Sequence, residues 1–212
     1  MILRKAVLSF FILLGLMHAT ASAAVLDQSY DPGLFSSGYT VNSASTYAQV
    51  FQAGLSGPVA NIDVRVQNYF GAATAPLQLT LWSLSGSYPE TLASNLASLS
   101  ISNTLIPSTT GFVSFDLSSS GASFTSGQKY AVVLSTTSGF SYLWEALTNV
   151  TYTNGSARSV SGSQVYNTLS GPDFDFGFKT FVAEVPEPAS ATLVVIGAIG
   201  FGLRRRCRPR RS

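Results

Sequence analysis

The sequence predicts an all-β fold: a single β-sandwich of jelly-roll type, set between an N-terminal signal peptide and a C-terminal transmembrane helix. Three observations point to it. Period-two alternation recurs through the middle of the chain, and no segment there shows a convincing 3.6-residue period. Clusters of Gly, Ser, Asn or Pro separate the alternating runs at turn-like intervals. The 212 residues thus divide into a leader (1–23), a β-domain (24–184) and a tail (185–212).

The leader comes first. Arg4 and Lys5 form a positive start, Ala6 to Met17 an apolar run, and Ala19-Thr20-Ala21-Ser22-Ala23 a small-residue exit. This pattern marks a signal peptide read by the Sec export machinery and cleaved after Ala21 or Ala23. The run is shorter than the roughly 20 residues of a spanning helix, which favours removal over anchoring.

The strands of the middle follow in order. Ile62, Val64 and Val66 alternate with Asp63, Arg65 and Gln67. Leu77, Leu79 and Leu81 alternate with Gln78, Thr80 and Trp82, and Val113, Phe115 and Leu117 with Ser114 and Asp116. Tyr130, Val132 and Leu134 form another face, as do Phe140, Tyr142 and Trp144. Phe174, Phe176 and Phe178 alternate with Asp175, Gly177 and Lys179. Leu92 to Leu99 comes nearest to a helical pattern, but its serines and Asn95 favour a loop or short strand. Asn154-Gly155 is the strongest tight-hairpin signal, placed between 150–153 and 157–160.

Charge separates the middle from the ends. Residues 24–184 hold four basic residues (Arg65, Lys129, Arg158, Lys179) against nine acidic ones, which leaves them at −5 although the whole chain is +2. Such a surface is a poor partner for nucleic acid. The lone histidine, His18, lies in the leader and the lone cysteine, Cys207, in the tail. The domain therefore has no disulfide, no Ser-His-Asp or Cys-His catalysis and no zinc or copper site built on N or S ligands. No cofactor motif is present, and no cofactor is expected.

The remaining candidates are carboxylates and aromatics. Asp173 and Asp175 share one strand face, where they can chelate Ca²⁺ or lie solvated opposite the phenylalanine stripe. Glu145 with Asp116 would suit glycoside hydrolysis only if the two carboxyls stood roughly 5–9 Å apart. Trp144, in register with Phe140 and Tyr142, reads as core. Trp82, opposite the leucine face, is the better sugar-stacking platform.

The tail carries the most specific pattern. Pro186 and Pro188 flank Glu187 and end the domain, since neither proline continues a helix or a ladder. The apolar run from Ala189 to Leu203 has 15 residues, about 22 Å as a helix against a hydrocarbon core of roughly 30 Å. Arg204, Arg205, Arg206, Arg208, Arg210 and Arg211 follow. Their long stems extend the span by snorkelling, and their charge places this end in the cytoplasm. Motif, helix and arginine block together resemble the PEP-CTERM sorting signal of Gram-negative bacteria. That resemblance implies recognition by the membrane enzyme exosortase, with Pro186, Glu187 and Pro188 as the motif, and an inner-membrane-anchored precursor that ends at the cell surface or in the extracellular matrix. Tyr47–Phe51, Leu77–Trp82 and Phe124–Leu134 resemble strands of the choice-of-anchor exported β-domains (type R), a family that implies a fold but no activity.

The sequence-level expectation is a non-enzymatic surface protein with a structural, adhesive or polysaccharide-binding β-sandwich. The alternative is an exported glycan-acting enzyme that uses carboxylates alone.

Overall fold

Apolar side chains at every second position give a strand one oily face, and antiparallel neighbours let that face be buried without helices. The computed structural model describes residues 23–31, 33, 37–69, 73–139, 142–148, 152–166 and 174–184. The strands are β1 (Ala24–Tyr30), β2 (Ser37–Val41), β3 (Thr46–Gln52), β4 (Gly57–Asn68), β5 (Leu77–Ser85), β6 (Glu90–Ile101) and β7 (Gly111–Asp116). They continue with β8 (Ser123–Phe124), β9 (Lys129–Ser135), β10 (Tyr142–Thr148), β11 (Gly155–Ser161), β12 (Gln164–Tyr166), β13 (Phe174–Phe176) and β14 (Phe178–Ala183). One 3₁₀ turn, Asn103–Leu105, is capped by the Ser102 hydroxyl. Ala24–Glu184 forms one unit, and it contains all of these strands. The expected leader and the expected tail helix, including Pro186, Glu187, Pro188 and the arginine block, lie outside the described residues. Among the described residues no helix is long and apolar enough to cross a membrane.

The strands sort into two sheets, as a sandwich requires. One sheet is open, in the order β1-β14-β4-β10-β13, with β2 on β10 and with β7 and β8 on β4. The other closes on itself as the six-strand ring β11-β12-β6-β5-β9-β3. Closure is what a jelly-roll expectation does not contain. It follows from β3 and β9, which are apolar on both faces. Tyr47 and Phe51 of β3, with Tyr130, Val132 and Leu134 of β9, join the large core shared with the open sheet. Ala48 and Val50, with Ala131 and Val133, turn the other way and meet Val165 in a second, smaller core inside the ring.

Three local expectations change. The stretch Leu92 to Leu99 is neither a loop nor a short strand but the middle of β6, paired along β5. Two register shifts opposite Leu81/Trp82 and Ser83/Leu84 break its alternation, as β-bulges do. The Asn154-Gly155 turn closes with the Gly155 amide on the Tyr152 carbonyl (3.4 Å), but β11 beyond it pairs with β3 and β12. The tight two-residue hairpin lies instead between β11 and β12, where Ser161 faces Gln164 and Gly162 takes φ +61°. Finally, Asp175 is not on a solvated face. β13 is buried on both sides, and Asp175 is 1% exposed.

Candidate functional site

Closing a six-strand ring points alternate side chains inward. Inside this ring the floor is small: Ala48, Val50, Ala131, Val133 and Val165. Following the same faces toward one end, the apolar pattern stops. Lys129 lies two residues before Ala131 on β9. Gln52 lies two beyond Val50 on β3, Ser156 and Arg158 precede Val160 on β11, and Glu90 precedes Leu92 on β6. Alternation therefore brings Glu90, Lys129, Arg158, Gln52 and Ser156 to one mouth of the barrel.

A pocket of about 230 Å³ opens there, lined by these five, Val50 and the turn Thr153–Gly155. Lys129 Nζ donates to Glu90 Oε1 at 3.0 Å. Glu90 is 3% exposed, whereas the Lys129 side chain is 55% exposed. The pair therefore reaches from the wall of the pocket to solvent. Its main effect is to compensate a buried carboxylate rather than to add stability of its own. Glu90 Oε2 and Arg158 Nε are both buried without a hydrogen-bond partner among the described residues. Tyr88 is 56% exposed beside Pro89 and Glu90, with the Arg158 guanidinium 5.4 Å from its ring centre, within cation–π range.

The turn that borders the pocket is fixed by glycine chemistry. Gln52 N–H donates to the Asn154 carbonyl at 2.8 Å, which ties the turn to β3. Gly155 then enters the ladder opposite Phe51. A Cβ at Gly155 would run into the Val50 carbonyl, so only glycine lets β11 approach β3 this closely.

The residues that sequence reading singles out are placed elsewhere or used differently. Trp82 does stand opposite Leu77, Leu79 and Leu81, but ring closure turns that face inward. It is half-buried against the barrel core, and its Nε1 donates to Thr80 Oγ1 at 3.0 Å. Trp144 is fully buried and stacks on Phe176 at 4.2 Å and 12°. Asp173 lies outside the described residues. Both Asp175 oxygens are occupied, by Gln49 Nε2 (2.8 Å) and the Tyr152 amide (2.9 Å). No group of three or more His, Cys, Asp or Glu able to hold a metal occurs among the described residues.

Glu145 and Asp116 are not brought together. Glu145 is buried on β10, held by Arg65 Nε at 2.9 Å and by the Thr110 hydroxyl. Asp116 is exposed on β7, where Ser118 donates hydrogen bonds that hold its carboxyl below the usual range. Its register partner Asn61 lies four residues from Arg65 on β4, roughly 13 Å at about 3.3 Å per residue.

Sequence reading counts Glu90, Lys129 and Arg158 only as charges. Glu90 and Lys129 are 39 residues apart, with no motif between them. The available signal is parity, a charge two residues from a small apolar one on each strand, and it becomes meaningful only once the ring is known to close.

Residues 184–206 match the PEP-CTERM protein-sorting motif. No curated protein matches the chain. The motif implies an exported protein, made as a membrane-anchored precursor and sorted by exosortase to the cell surface.

Proposed function

We propose, for an exported chain sorted through residues 184–206, that the Ala24–Glu184 unit is a non-enzymatic surface or matrix domain with a structural and polysaccharide-contacting role. The observation that carries this reading is the order of parts. A self-contained β-unit with its own cores ends at Glu184, where the sorting match begins. The fate of the carboxylates supports it. Glu90, Glu145 and Asp175 are buried and engaged by Lys129, Arg65 and Gln49 respectively. Each is used to hold strands together, and the described pocket contains one carboxylate rather than the pair that glycoside hydrolysis uses.

The sorting step gives the direct test. Glu187→Ala, or deletion of Arg204 to Arg211, should leave unprocessed precursor in the inner membrane, read by fractionation and the mass of the mature protein. Normal processing and surface release of both variants would refute the role assigned to the tail.

A further inference from the structure

We propose that the mouth of the six-strand barrel binds one carboxylate-bearing sugar residue of an acidic polysaccharide. Arg158 and Lys129 meet the carboxylate, and Glu90 accepts a ring hydroxyl. The site stands on the barrel's own geometry; only the identification of its ligand as part of a polymer rests on the matrix reading above.

Charge distribution is the first argument. The domain has four basic residues. Two of them, Arg65 and Lys179, sit with Asp31 and Glu145 in a cluster of two cations and two carboxylates. The other two, Lys129 and Arg158, line the pocket with Glu90 alone. Among the described residues, a domain at −5 thus keeps one more cation than carboxylate in a concave site, where low-dielectric walls focus the field on an anion.

Unsatisfied groups are the second. Glu90 Oε2 is an acceptor and Arg158 Nε a donor, both buried and both on pocket-lining residues. A buried polar atom left unmatched costs about 1–3 kcal/mol, so the site is arranged for a ligand that offers both a hydroxyl and an anionic oxygen. An inorganic anion such as phosphate meets the charge but carries no ring whose several hydroxyls could reach the other polar groups of the site. The surrounding Ser156, Asn154 and Gln52 add hydroxyl and amide groups suited to further sugar hydroxyls, and Tyr88 beside Arg158 offers an exposed ring to an apolar sugar face. Size is the third argument. About 230 Å³ falls below the roughly 300–1,000 Å³ of drug-sized sites, which limits the occupant to one ring.

The Ala24–Glu184 domain contains every described strand and both cores, so it serves as the test protein. Glucuronate, glucose and inorganic phosphate are titrated by calorimetry and by amide chemical shifts. Glucuronate should saturate and shift the amides of Lys129, Asn154 and Ser156, with glucose and phosphate each weaker by about tenfold or more. Arg158→Gln should lower glucuronate affinity by about tenfold, the value of one lost charge-assisted hydrogen bond. Equal affinity for glucose, or for phosphate, overturns carboxylate-sugar recognition, as do shifts confined to another face. The shift map of the unmodified domain decides the matter even if Arg158→Gln fails to fold. An array of acidic and neutral polysaccharides separates the two readings. Retention unchanged by Arg158→Gln overturns the barrel mouth and leaves the matrix role standing. If no polymer is retained but glucuronate saturates, the matrix reading falls and the pocket survives.

Discussion

Between its sheets this molecule packs rings, while inside its barrel it packs methyl groups. The inter-sheet core draws on Trp144, Phe176, Phe178, Phe51 and Tyr142, all fully buried. Their neighbours meet edge to face, as Tyr39 meets Phe174 at 4.9 Å and 82°, and Phe51 meets Phe124 at 5.4 Å and 78°. The barrel floor has only alanine and valine at its fully buried positions. Large rings fill a wide gap between two sheets and add about 0.5–1.5 kcal/mol per well-placed pair beyond their buried area. Among the described residues the six-strand ring holds Trp82, half-buried, against a floor of alanine and valine, and its mouth stays open to charged side chains. One core supplies stability, and the other supplies a shaped site.

The largest way to break this contrast is Trp144→Ala. The indole stacks on Phe176 and donates to the Gly177 carbonyl at 3.2 Å. Its removal should cost about 3–5 kcal/mol in denaturant unfolding, enough to abolish folding in a marginal domain. Val165→Ala, in the barrel, should cost roughly 2 kcal/mol from two lost methyl groups and a small cavity. It should also move the amides of Ser156 and Lys129, which the inter-sheet change should leave in place if the protein stays folded. A Val165→Ala loss equal to that of Trp144→Ala would show that the two cores are one energetic unit.

The smallest effect is read by pH. Tyr30 and Tyr142 are pushed up to about 12 by burial, and Tyr152 is raised further by burial and by Asp27 and Asp175. An unfolded tyrosine ionises near 10. The native state therefore keeps its full advantage below pH 10 and loses it as pH rises from 10 through 12, because there the unfolded chain releases protons that the folded chain retains. Absorbance titration should show these phenols ionising late and together with unfolding. Early ionisation without unfolding would place them outside the inter-sheet core.

Much of the large core was legible in the sequence because its strands alternate cleanly. Ile62, Val64 and Val66, like Leu77, Leu79 and Leu81, are all fully buried toward it. β6 was not legible, since its two bulges shift the alternation by one residue and then shift it back, which leaves Ser94 and Asn95 out of phase with the residues on either side. The barrel was hidden for a related reason. Alternation gives two faces but does not say whether the second meets water or another layer, so Trp82 and Asp175 both read as solvent-facing. The run Tyr130–Leu134, buried at every position, carried the missing information, because a strand without a wet face must be covered twice. The pocket was the least legible, as its charges come from three strands that meet only when the ring closes.

The first and last strands of the unit are register partners, with Ala24 opposite Ala183. A tension applied at the Glu184 end therefore enters through β14, and β14 is no edge. It is laced to β1 on one side by six residue pairs and to β4 on the other by five. A pull there is divided between two ladders instead of peeling one strand away. The strand next to the address label is thus one held from both sides.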